Sequence, residues 1–168
     1  MKGPAVVDTN VPIVASGSSG VSAECVNATV QAIRTLIQGG LLILDDGRRI
    51  LREYERHLSL GGQPRPGTVF LKWVYTNYAN PSRCCLVHIR ARPGDREDYE
   101  EFPDDEALAS FDPSDRKFVA VARAHPAGPP IKVATDRGWW IHRHALAKAG
   151  VTVDFLCRTE IEKVRHRP

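Results

Sequence analysis

The chain has 168 residues, 42% of them hydrophobic and 26% charged, with a formal net charge of +3. That length suits one domain able to bury a full core, and the composition excludes a disordered or collagen-like polymer. No apolar run approaches the ~20 residues of a membrane span, and the mild positive charge is compatible with a polyanionic partner without requiring one.

The N-terminal apolar residues stop at Asp8, too early for a signal peptide. Ala5-Val6-Val7 running into Asp8-Thr9-Asn10 has the profile of a buried parallel strand that delivers a carboxylate at its C-terminal end. Ser16 to Gly20 is a loop, and a helix is predicted from Ala23 to Gln38, closed by Gly39-Gly40. Leu41 to Leu44 is an unbroken apolar run of strand length, and Asp46 is the expected N-cap of a helix over Gly47 to Leu58. After a Gly/Pro-rich loop from Gly61 to Gly67, Thr68 opens a helix through Tyr78. Cys84 to Ile89 is the third predicted strand, and Arg90 to Asp105 reads as a charged, turn-rich, solvated insertion.

Asp112-Pro113-Ser114-Asp115 carries the signals of a helix start, with Asp112 as N-cap and Pro113 at the first position. Ile131 to Ala134 is a fourth strand ending at Thr135-Asp136. A helix over Trp139 to Lys148 and a strand over Val151 to Leu156 follow. Of Trp139 and Trp140, one is expected in the core. Alternation of this kind predicts an α/β protein: a three-layer α/β/α sandwich with a mostly parallel sheet of about five strands. Residues 1–157 form the expected domain and residues 158–168 a charged tail or frayed helix. The four cysteines, Cys25, Cys84, Cys85 and Cys157, lack Cys-x-x-Cys spacing and are expected to be reduced thiols of a cytoplasmic protein.

Asp8 and Asp136 each follow an apolar strand, so parallel strands bring both to one sheet edge, where Asp115 opens the helix feeding the second of them. Glu53 lies about 60° off the buried stripe of its helix and can point along that edge. Clustered carboxylates raise one another's pKa, and the usual compensation is a hard divalent cation, Mg²⁺ or Mn²⁺, as one or two ions. Asp46 competes with Glu53 for its place, and Asp112 with Asp115. Arg49, Arg116 and Arg137 are candidate phosphate contacts, as are Arg48, Arg52, Arg56 and Lys117.

Val6-Val7-Asp8-Thr9-Asn10, Ile50-Leu51-Arg52-Glu53-Tyr54, the run from Asp115 to Ala122, and Ala134-Thr135-Asp136 together resemble a PIN domain over roughly Val6 to Leu156. The resemblance implies a metal-dependent nuclease acting mostly on RNA, with DNA as the other substrate class. It implies that Asp8, Glu53, Asp115 and Asp136 are metal ligands and that Asn10 and Thr135 orient them. PIN-type proteins are often dimers, and many bacterial ones are toxins restrained by an antitoxin. The rival expectation is a PIN-fold module that binds RNA or protein without cleaving. A membrane partner is not expected.

Overall fold

The computed structural model describes residues 3–17 and 20–163. The first strand, β1 (Pro4–Val7), is followed at once by a short helix, α1 (Asn10–Ala15), which the sequence pattern had not indicated. Next come α2 (Ala23–Gly39), β2 (Leu41–Asp45), α3 (Arg49–His57), α4 (Pro66–Asn77) and β3 (Cys84–Val87). Two 3₁₀ turns, Glu106–Leu108 and Pro113–Asp115, lead into α5 (Arg116–Ala124) and β4 (Ile131–Val133). The chain continues through α6 (Arg137–Ile141), α7 (Arg143–Lys148), β5 (Val153–Phe155) and α8 (Arg158–Lys163).

All five strands are parallel, in the order β3-β2-β1-β4-β5. Val6 and Leu42 to Leu44 are fully buried, as strands covered on both faces require. On one side α1, α2 and α4 pack together, while α5 packs across β1, β2 and β4 and touches α3. The strand order fits this division, because β1→β2→β3 runs one way along the sheet and β3→β4→β5 doubles back on the other side of β1, and crossovers that follow the general right-handed rule then fall on opposite faces. The expected sandwich is therefore present, with a sheet that is wholly parallel. Among the described residues no helix is long and apolar enough to cross a membrane.

Several local expectations are corrected. The cap of α3 is Asp45, not Asp46: its fully buried carboxylate accepts from the N–H groups of Arg49 (2.8 Å) and Ile50 (2.9 Å). That reach back over four residues is possible because Arg48 turns the chain in the left-handed region, at φ 61°. The helix predicted over 139–148 is broken at His142, whose ring bonds the Gly138 carbonyl (2.8 Å) while Arg143 takes that of Trp140 (2.7 Å). Trp139 is the core member of the tryptophan pair.

Cys25 and Cys157 are not reduced thiols. They form a disulfide, because the first turn of α2 and the residue after β5's exit meet with their Cα atoms 5.0 Å apart. Cys84 and Cys85 are free. Burial pushes the Cys84 thiol up to about 11, which makes it inert at neutral pH. The charged tail is in part folded as well: residues 158–163 form α8, Ile161 is buried, and the Glu160 carboxylate accepts from the N–H of Ser22 (3.2 Å). Residues 164–168 lie outside the described residues, as do Ser18 and Ser19 of the predicted loop.

The excursion over residues 90–105 is more than a solvated insertion. Ala91 and Tyr99 form an antiparallel bridge, Tyr99 and Phe102 are buried, and Phe102 stacks on Phe111 at 5.8 Å between centroids.

Candidate metal centre

The site is built around the end of β1. The Asp8 N–H donates to the Lys132 carbonyl (3.0 Å), which locks the C-terminal ends of β1 and β4 side by side. Asn10 then ties the two strand exits together, since its side-chain oxygen accepts from both the N–H and the hydroxyl of Thr135, each at 2.9 Å. The Asn10 N–H in turn donates to the Asp8 carboxylate (3.3 Å). Asn10 and Thr135 thus brace the loop that carries Asp8.

Glu53 arrives from α3. The neighbouring Tyr54 is fully buried and donates its hydroxyl to the Val7 carbonyl (2.5 Å), which pins this helix against β1 one residue before Asp8. Glu53 also accepts from the Thr9 hydroxyl (2.7 Å) and forms an ion pair with Lys117, whose ammonium donates to the Ser114 carbonyl as well. Asp115 enters from the 3₁₀ turn before α5 and is 8% exposed, against 3% for Asp8. Asp8, Glu53 and Asp115 each present a carboxylate oxygen, and these oxygens all lie within 4.8 Å of one another.

Asp136 stands beside this group rather than inside it. One of its oxygens caps α6 by accepting from the Gly138 N–H (2.7 Å), yet its charge acts on both Asp8 and Asp115. The two rival acids have other partners. Asp46 pairs with His88 at the surface (2.8 Å), and Asp112 accepts from the N–H (2.9 Å) and hydroxyl (2.8 Å) of Ser114 as the cap of the Pro113 turn.

The three phosphate candidates separate. Arg116 is taken up structurally: it pairs with Asp98 (3.1 Å), donates to the Ala109 carbonyl (3.0 Å) and lies over the Phe102 ring, so it anchors the 90–105 excursion instead of facing a ligand. Arg137 is exposed at the first position of α6. Arg49 lines a cavity together with Glu53 and Lys117. Thr9, Tyr54 and Arg96 carry roles at or near the site that the sequence pattern did not single out. Thr9 sits inside the Asp-Thr-Asn run, so its proximity to Asp8 was visible but its partner on α3 was not.

Burial raises the Asp8 carboxyl well above its ordinary value, helped by the charges of Asp115, Asp136 and Glu53 and opposed by the Asn10 N–H. Burial likewise pushes Asp115 up to about 7, with Asp136, Asp112 and Glu53 adding to the effect and Lys117 opposing it. Such a group of hard oxygen donors with excess negative charge suits an oxygen-preferring divalent cation; it offers neither histidine nor thiolate for zinc.

A pH dependence follows. Between about pH 4, where an unfolded aspartate titrates, and pH 7, the folded protein holds more protons than the unfolded chain, so stability falls as pH rises. In EDTA the melting temperature should therefore be higher at pH 5 than at pH 8, and Asp115→Asn should flatten the difference. Thermal denaturation across that range checks it; a wild-type curve as flat as that of Asp115→Asn would count against it.

No family model, no curated protein and no solved structure matches the chain.

Proposed function

We propose that the chain is a Mg²⁺- or Mn²⁺-dependent phosphodiesterase of PIN type whose substrate is RNA. The observation that carries this reading is the meeting of Asp8, Glu53 and Asp115, from three separate elements, with their oxygens within 4.8 Å of one another. Four motifs in PIN-like order supply the family resemblance. Asp8, Glu53 and Asp115 would hold the metal, with Asp136 as the fourth acid. When bound, a divalent ion supplies charge stabilisation at phosphorus and a more acidic water.

The chain's own groups do the rest. Asn10 and Thr135 fix the Asp8 loop, and Thr9 and Lys117 hold the two Glu53 oxygens, so the donor set needs little reorganisation when a cation enters. Lys117 also brings a buried positive charge to the place where negative charge would build up on a cleaved phosphodiester. The regulatory half of the resemblance, an antitoxin over the acidic edge or pairing with a second copy, rests on the resemblance alone.

The test uses purified protein with single-stranded RNA. Cleavage is expected in Mn²⁺ or Mg²⁺ and not in EDTA, together with heat released on titrating Mn²⁺ into the metal-free protein. Calorimetry that detects no divalent binding, alongside tight RNA binding, would favour the non-cleaving module instead.

A further inference from the structure

We infer that the cationic groove between α3 and the 90–105 excursion docks the sugar–phosphate backbone of single-stranded RNA beside the carboxylate cluster, an inference that rests on the proposed nuclease reading for its choice of polyanion. The groove is a cavity of about 510 Å³. Arg49, Arg52 and Arg56 form one wall, Arg96 of the excursion contributes to the other, and Lys117 and Glu53 lie where it meets the acidic site. Glu53 belongs to both, so the groove opens directly onto the carboxylates.

Arg49 pairs with Asp45 (3.5 Å), and the other arginines here fall into two groups. Arg90 pairs with Glu100 (2.9 Å) and Glu101 (3.3 Å), while Arg92 (3.3 Å) and Arg116 (3.1 Å) share Asp98; all three hold the excursion in shape. Arg52, Arg56 and Arg96 have no side-chain ion pair or hydrogen bond among the described residues, and all are exposed. Unpaired guanidinium groups gathered in one concavity are the donors that phosphate oxygens match best, through forked N–H pairs. The acids on the lining are Glu53 and Glu97, fewer than its cations.

Length and lining narrow the ligand. Arg49 and Arg56 are seven residues apart on one helix, roughly 10 Å along its axis at about 1.5 Å per residue, which is more than a single phosphate needs. A cavity of this volume takes a few nucleotides of one strand and not the cross-section of a duplex. Its one aromatic, Tyr99, is 3% exposed and lies under the Arg49 guanidinium, so no platform is offered to a base. The groove therefore grips phosphates, and its contacts tolerate any base sequence.

The experiment is fluorescence anisotropy with a labelled 12-nucleotide single-stranded RNA in EDTA, at KCl concentrations from 50 to 200 mM. Arg52→Ala, Arg56→Ala and Arg96→Ala should each weaken binding several-fold and reduce the slope of log K against log salt by about 0.7, the value for one phosphate contact on a single strand. Arg34→Ala, exposed on α2 and absent from the groove lining, should change neither, and scrambling the RNA sequence should matter little. An unchanged slope in all three variants would overturn the proposal. So would tighter binding of a blunt RNA duplex, or displacement of the RNA by a polyglutamate peptide that itself needs the same arginines. Because binding is read without metal, groove-dependent binding in a protein that never cleaves would refute the nuclease reading and leave the groove standing. Cleavage coupled to groove-independent binding would do the reverse.

Discussion

Asp8→Asn is expected to remove Mn²⁺-dependent RNA cleavage and, in the same protein, to raise the melting temperature measured in EDTA. The two effects come from one cause. Asp8 is buried, and three further acids, Asp115, Asp136 and Glu53, act on it with like charge. An amide of the same shape can still accept from the Asn10 N–H but cannot ionise, so the cost of a buried charge beside Asp115, Asp136 and Glu53 disappears. A domain of this size gains about 2–4 °C per kcal/mol, and relief of a buried like-charge contact should be visible as several degrees at pH 8. At pH 5, where the wild type has already taken up protons, the gain should shrink. Mn²⁺ should stabilise the wild type and leave Asp8→Asn nearly unmoved, by the linkage of binding to folding. Unaltered cleavage by Asp8→Asn would end the nuclease reading, and a lowered melting temperature would mean that the Asp8 carboxylate is a structural support.

Breaking the bond between Cys25 and Cys157, both buried in the core, should produce a large loss of stability. The bridge spans 132 positions of the chain. Constraint of an unfolded loop of that order is worth up to about 5 kcal/mol in the chain-entropy account, and removal of a native disulfide commonly costs about 2–5 kcal/mol. At about 2–4 °C per kcal/mol, the double variant Cys25→Ala/Cys157→Ala, or the wild type under reductant, should melt on the order of 10 °C lower. Cys84→Ser would be a poor control because Cys84 is buried; the half-buried Cys85 is the better site for one. Identical melting of the oxidised and reduced protein would show that the bridge contributes nothing.

Much of the architecture was legible because the buried strands are short apolar runs with punctuation at both ends. Ala5-Val6-Val7 and Leu41 to Leu44 need no tertiary knowledge to be recognised, and Gly39-Gly40 marks the end of α2. Asp8 and Asp115 were nameable for the same reason, since a carboxylate at the end of a buried strand or at a helix start is a local pattern, and Glu53 was nameable from its angle to the buried stripe of its helix. The errors lie where the deciding contact is distant or one residue wide. Asp45 and Asp46 are chemically identical neighbours, and only the left-handed turn at Arg48 decides which one caps α3. Cys25 and Cys157 have no local signature at their separation. Arg116 has the composition of a phosphate ligand and the surroundings of an anchor, because Asp98 and the Phe102 ring reach it from an excursion whose buried Tyr99 and Phe102 were masked by charge. Lys117 could be named as a cation, but its pairing with Glu53 depends on α3 and α5 lying against one another.

The sheet order also bears on how the protein is made. β1 is the earliest of the five strands and the middle one, with β2 on one flank and β4 on the other. On the ribosome its first neighbour begins at Leu41, but the second begins only at Ile131. A nascent chain short of that point presents the Val6-Val7 backbone as an open edge, the kind of surface that draws chaperones or misassembly. The carboxylate cluster shares this timing, because Asp8 waits for Glu53 from the first third of the chain and Asp115 from the last. Whatever chemistry the acids perform is therefore withheld during translation until the domain is nearly complete.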